Sequence, residues 1–144
     1  TKLIIKKSLK RGAKLIIGNK NILNNSSPVT PFILSNVKKT DDLYKTEIFG
    51  TVLILQKFKK INTLILDLNK NNYGLACFLY TGNKNDKKIF QENIRYGRVW
   101  VNESLDYWNP YLTIGGFRNS GYGSETGFEG IKNYLINKSI VSRS

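Results

Sequence analysis

Val52-Leu53-Ile54-Leu55-Gln56-Lys57-Phe58 is a run of β-branched and leucine residues of strand length, and the pattern after it decides the fold. Ile61, Leu64, Ile65 and Leu68 then recur at i, i+3, i+4 and i+7, which predicts one face of an amphipathic helix. Asn72 and Gly74 follow, chemically suited to end that helix in the left-handed conformation. Residues 75–81 (LACFLYT) have little polar content and predict a second strand buried on both faces. Residues 86–96 put Ile89, Phe90 and Ile94 on one helical side, with Gly97 placed to stop the helix. Residues 98–102 (RVWVN) predict a third strand. Strand, helix, strand, helix, strand with short connections is the pattern of a parallel α/β sheet with crossover helices.

Outward from this segment the pattern is softer. Residues 3–10 suit a basic helix ending near Gly12, and residues 13–17 a strand. Residues 19–31 are polar and hold two prolines, hence a loop, and residues 32–37 suit another strand. Residues 103–123 are aromatic and glycine-rich without a period; a loop of that length is functional or a contact surface. Residues 127–135 suit a short helix with Phe128, Ile131 and Leu135 inward, and residues 139–141 a terminal strand. No internal repeat is present.

Composition narrows the chemistry. The 144 residues fit one domain, and 23 basic against ten acidic residues give a formal charge of +13. Histidine is absent and cysteine occurs once, as Cys77. That excludes Ser-His-Asp and Cys-His catalysis, imidazole metal ligands, internal disulfides and multi-cysteine zinc modules. No apolar stretch of about 18 residues exists, so no bilayer span is expected, and no secretory leader pattern is visible. The expectation is a cytoplasmic, metal-free protein with no membrane partner. The lysines are scattered in pairs amid many Asn and Ile residues, a mixture that A/T-rich codons produce. The charge is therefore read as a solvated surface before a nucleic-acid patch. The chain opens at Thr1 and contains no methionine, so processing or a longer parent is expected.

Motifs then accumulate in order. Thr46-Glu47-Ile48-Phe49-Gly50-Thr51-Val52 resembles the E-E-I-F-G-P-V motif of the aldehyde dehydrogenase superfamily. Asn72-Tyr73-Gly74-Leu75-Ala76 resembles its Y-G-L-A, and Gly97-Arg98-Val99-Trp100-Val101-Asn102 its G-x-V-W-V-N. Thr113-Ile114-Gly115-Gly116-Phe117-Arg118-Asn119-Ser120-Gly121-Tyr122-Gly123 is similar to P-F-G-G-x-K-x-S-G-x-G. Glu125-Thr126-Gly127-Phe128-Glu129-Gly130 and Tyr134 are similar to E-x-G-x-E-G and the tail tyrosine. Gly12-Ala13-Lys14-Leu15 and Pro31-Phe32-Ile33-Leu34 resemble G-A-K-L and P-T-V-L. Each motif alone is weak. In register over nearly the whole chain they identify the C-terminal portion of that family's catalytic domain.

The resemblance implies an α/β fold, a three-layer parallel-sheet sandwich like the second half of that catalytic domain. It implies residues 1–136 as a partial catalytic domain and residues 137–144 as a C-terminal oligomerisation strand. It implies NAD or NADP as cofactor, with Glu47 accepting from the hydroxyls of the nicotinamide ribose and Phe49 packing near the nicotinamide ring. It implies that Tyr107, Trp108 and Ile114, with Tyr111 beside them, line the substrate tunnel. The family's nucleophilic cysteine, water-activating glutamate, oxyanion asparagine and nucleotide-binding domain have no counterpart among these motifs. The expectation is therefore an inactive segment of an NAD(P)-dependent aldehyde dehydrogenase that does not bind the cofactor alone. Its partner would be a complementing N-terminal polypeptide or further copies of itself. The alternatives are a folded, self-associating remnant without catalysis and a basic nucleic-acid-binding module.

Several residues have a plainer reading. Cys77 lies inside an apolar run, where small cysteines are ordinary packing, so it is read as core and not as a nucleophile. Glu103 and Asp106 are read as solvated loop acids, not an acid/base pair. Gly121, Gly123 and Gly127 lack the dinucleotide-fingerprint spacing and are read as turn residues. Thr51 and Thr113 stand where the family has proline, Ile114 where it has phenylalanine, and Arg118 where it has lysine.

Overall fold

A computed structural model describes residues 1–24, 30–106 and 109–143. Its contacts divide the chain into two compact units, residues 1–59 and 60–144, each described by itself.

The first unit opens with helix α1 (Lys2–Lys10), followed by strand β1 (Lys14–Ile17), a 3-10 turn (Lys20–Asn24) and strand β2 (Phe32–Ser35). A single helical turn, α2 (Asp42–Lys45), leads to strand β3 (Val52–Leu55). The sheet runs in the order β1-β2-β3, antiparallel between β1 and β2 and parallel between β2 and β3. Alternation sorts its side chains. Phe32 and Leu34 are buried with Ile5, Ala13, Leu23, Val37 and Leu43, and Leu15, Val52 and Ile54 pack against them. Leu53 and Leu55 point the other way and stay exposed. Each fully buried Leu, Ile or Phe contributes roughly 1.5–3 kcal/mol, so this cluster is the main stabilising term of the unit.

The second unit holds helix α3 (Ile61–Asn69), strand β4 (Tyr73–Gly74), strand β5 (Ala76–Leu79), helix α4 (Lys84–Asn93) and strand β6 (Arg98–Val101). Helix α4 is the crossover between parallel strands β5 and β6. Its start is set by Asn83, whose side chain accepts from the backbone N–H groups of Asn85 (2.9 Å) and Asp86 (3.1 Å). The core is Ile65, Leu79 and Phe90, with Ile61, Leu68, Cys77, Ile89, Ile94, Val99 and Val101 packed on it. Asn69 ties the ends of α3 and α4: its Nδ2 donates to the Asn93 carbonyl (2.8 Å) and its Oδ1 accepts from Arg95 N–H (2.8 Å).

The remainder is built from short strands: β7 (Ile114–Gly115), β8 (Phe117–Arg118) and β9 (Ser124–Glu125), then helix α5 (Gly127–Lys132). Strand β8 pairs antiparallel with β4, and β9 with β7.

Several expectations are corrected. The strands form mixed sheets, not one parallel sheet, because hairpin-like neighbours such as β1 and β2 pair antiparallel. Strand β5 is covered on one face only: Cys77 and Leu79 face the core, while Ala76 and Phe78 are exposed. Helix α3 ends at Lys70 in a right-handed conformation, and neither Asn72 nor Gly74 has a positive φ. Gly97 does not stop α4, which ends at Ile94; it is glycine because a Cβ there would fall on the Gly115 carbonyl. Phe128, Ile131 and Leu135 do not point into a core; Phe128 is 74% exposed. Residues 135–143 carry no strand in the single chain. Among the described residues, no helix is long and apolar enough to cross a membrane.

Candidate functional site

Glu47 and Phe49 lie on one loop, between α2 and β3, and both are exposed, Phe49 by 91%. Hydrogen bonds hold the loop at each end. Thr46 N–H donates to the Asp42 carbonyl (2.8 Å), Val52 N–H to Gly50 (2.9 Å) and Phe32 N–H to Thr51 (2.8 Å). Ile48, between the two candidates, packs on the first unit's core. Alternating residues therefore face opposite ways: Ile48 anchors, while Glu47 and Phe49 stand out. A carboxylate accepts only, which suits vicinal hydroxyls, and an exposed aromatic ring suits a flat heteroaromatic.

Ile114 belongs to the second unit, in β7, and is partly buried. Tyr107 and Trp108 lie outside the described residues. The segment before Ile114 is clamped at one carbonyl. Leu112 O accepts from the Arg98 guanidinium (2.9 Å) and from Thr126 Oγ1 (2.7 Å). Gly127 N–H donates to Pro110 O (2.9 Å), at a φ of +58° that favours glycine. Thr126 carries φ +56° and ψ 174°, a conformation costly for a β-branched residue. The glycine-rich stretch is fastened to β4 as well. Gly74 N–H donates to Ser120 Oγ (2.9 Å), and the Arg118 guanidinium donates to Tyr73 O.

Two cavities flank this segment. One of about 460 Å³ is lined by Leu75, Ile114, Gly115, Ser120, Glu125 and Asn133. The other, about 830 Å³, is lined by Tyr111, Thr126, Phe128, Ile131 and Tyr134, again with Glu125 and Asn133. Glu125 and Asn133 were not singled out from sequence. Glu125 was visible only as the first letter of a motif, and Asn133 had no signal.

The plainer readings hold for the rest. Cys77, on the core-facing side of β5, packs on Ile65, Leu79 and Phe90, and burial pushes its thiol from the ordinary 9.0 up to about 11, the reverse of what a nucleophile requires. Glu103 and Asp106 are exposed and engage Ser104: its N–H donates to Glu103 Oε1 (2.9 Å) and its hydroxyl to Asp106 Oδ2 (3.0 Å). Gly121 and Gly123 have positive φ in turns. Among the described residues no cluster of His, Cys, Asp or Glu could hold a metal.

Comparison with known proteins gives this arrangement its context. The model of the aldehyde dehydrogenase family matches residues 1–140. The chain is 36% identical over 135 residues to aldehyde dehydrogenase 1 of Tanacetum cinerariifolium, covering 92% of this chain and 26% of that protein. It is 33% identical to omega-crystallin of Enteroctopus dofleini, covering 96% and 28%. Aldehyde dehydrogenase C of Pseudomonas syringae, a mutant solved with NAD+ and octanal, superposes with a TM-score of 0.81 at 30% identity, over 97% of this chain and 29% of that one. A lactaldehyde dehydrogenase, at 23% identity and TM-score 0.86, shares the fold. The chain thus spans about a quarter of the length of the curated relatives it matches. Motifs, α/β architecture and family match agree, and the chain belongs to the aldehyde dehydrogenase family.

Proposed function

We propose that this chain supplies the nicotinamide-ribose contact and part of the aldehyde-binding wall of an NAD(P)-dependent aldehyde oxidation, corresponding to the C-terminal portion of the family's catalytic domain. The observation that carries the reading is the pairing of an exposed carboxylate, Glu47, with an exposed ring, Phe49, on a loop tied at both ends. When bound, the nicotinamide accepts the hydride released as an aldehyde becomes a carboxylate. Glu47 would orient the ribose by accepting from its hydroxyls, and Phe49 would exclude water from one face of the ring. Ile114, Tyr107 and Trp108 would line the substrate passage.

The 144 residues alone are proposed to be inactive. Family chemistry begins with a thiolate, and Cys77, with its thiol pushed up to about 11, does not provide one. One ribose contact is also too little to hold a dinucleotide. The missing chemistry would come from a complementing polypeptide, or the chain would associate with itself. The apolar sheet faces bearing Leu53 and Leu55 in one unit and Phe78 in the other support either partner. Covered, each face would become interior to its own unit, and residues 1–136 would serve as the partial catalytic domain. Residues 137–144, where Val141 is 96% exposed, would then serve as an oligomerisation strand. A cytoplasmic setting is proposed with this role.

Saturation-transfer NMR with nicotinamide riboside tests the reading. A weak contact, on the order of millimolar, is expected between the nicotinamide protons and Phe49, and it should vanish in Glu47→Gln. No transfer to Phe49, or equal transfer in E47Q, would sink the assignment.

A further inference from the structure

Asp41 is an acid in an apolar place. Its side chain is 2% exposed, and Leu43, two residues on, belongs to the unit's apolar cluster. Neither carboxylate oxygen has a hydrogen-bond partner; Arg11 Nε stands 3.1 Å from Oδ1, an ion-pair distance without hydrogen-bond alignment. Arg11 itself is fixed at the end of α1, its N–H donating to the carbonyls of Lys7 and Ser8 (both 3.1 Å).

The backbone of Asp41 starts the turn that leads to the candidate loop. Its N–H donates to Lys38 O (2.9 Å), and its carbonyl accepts from Tyr44 (3.0 Å) and Lys45 (3.2 Å). The turn passes on directly, since Thr46 N–H donates to Asp42 O (2.8 Å) and Glu47 is the next residue. A four-residue helix cannot hold itself in water, so α2 depends on its anchors. Leu43 supplies burial, which any apolar side chain could do. An ion pair adds direction, because a buried charge tolerates only the placement that keeps its partner close.

We propose that Asp41 and Arg11 form a positioning pair that sets the register of the Glu47–Phe49 loop. The inference rests on Glu47 being the ribose acceptor, but the pair's effect on the loop is measurable without any cofactor. The loop's other end is held by β2 and β3 through main-chain bonds, so loss of the pair frees one end and leaves the sheet in place.

Amide hydrogen exchange on the full chain tests this in D41N, D41L and R11K. D41L fills the site with apolar carbon and carries the test if D41N fails to fold. In D41N or D41L, exchange at residues 46–49 should rise at least about tenfold, while β2 amides change less than about threefold. R11K, which keeps the cation, should stay within about threefold of the parent at both places. Wild-type exchange of the loop in a folded D41L, or a rise no larger than that of β2, would overturn the pair's role. The riboside signal separates the two ideas. Its loss in E47Q together with weakening in D41L supports the pair; loss in E47Q with full retention in D41L rejects the pair alone. A signal indifferent to E47Q rejects the ribose assignment and leaves the exchange result to judge the pair.

Discussion

The described residues among 1–59 bury seven apolar side chains in one cluster, whereas those among the longer 60–144 bury three. Both units lay an apolar sheet face open, Leu53 and Leu55 in one and Phe78 in the other, yet their means of cohesion differ. The first is a helix-covered sheet whose core comes from every element. The second has such a core only beneath β5 and β6; its later part is joined by the two-residue β4–β8 pairing and by hydrogen bonds at Leu112, Tyr73 and Ser120. Packing therefore fixes the loop that presents Glu47, while hydrogen bonds to main chain fix the segment that presents Ile114. The segment that presents Ile114 is the part that most needs a partner.

Single truncations would break this comparison most sharply. Phe90→Ala removes one of three buried apolar residues and Phe32→Ala one of seven, each costing about 3–5 kcal/mol. Amide exchange should show protection lost throughout residues 60–144 in F90A with residues 1–59 intact. F32A should leave a weakened but folded first unit. Equal collapse of both units in either variant would mean that the division is not energetic.

A second effect is confined to the glycine-rich part. Gly97→Ala must push the Gly115 carbonyl aside, so β7 moves and Ile114 with it. A loss of about 1–3 kcal/mol is expected, read by thermal unfolding, with a changed tryptophan emission from Trp100 nearby in sequence. An unchanged melting temperature would show that this close approach is not a constraint.

Sequence periodicity located most of the elements in both units but not their cover. The i, i+3, i+4, i+7 spacing of Ile61, Leu64, Ile65 and Leu68 reported the face of α3 that packs, because the residues it packs on are local. The same kind of spacing in Phe128, Ile131 and Leu135 reported an apolar face that nothing among the described residues of 60–144 covers. Periodicity says which side avoids water; it is silent on whether the partner is in the chain. Strands of two residues, such as β7 and β9, fall below any period. Glu47 and Phe49 became candidates through motif resemblance, and their exposure and alternation around Ile48 make physical sense of it. Glu125 and Asn133 meet at cavities assembled from separated stretches, so no local pattern could have marked them. Asp41 was invisible for a related reason, since the Arg11 it pairs with is distant in the chain.

The smallest expected effect concerns Cys77. Its folded thiol is raised by burial to about 11, above the ordinary 9.0, so the folded state favours the protonated form. That contribution is fully present below about pH 9 and is lost as pH rises through about 11. Iodoacetamide labelling should be slow in the folded chain at neutral pH and become fast on unfolding. Rapid labelling of the folded chain at neutral pH would contradict the buried, unreactive reading and move attention to β5.

The account stands most directly on one assay: NAD(P)H formation by the purified chain with a panel of aldehydes. No turnover is predicted for the 144 residues alone, with Glu47 and Phe49 present but no activated nucleophile. Clear aldehyde-dependent turnover, lost in Cys77→Ser, would contradict it and make Cys77 a catalytic thiol.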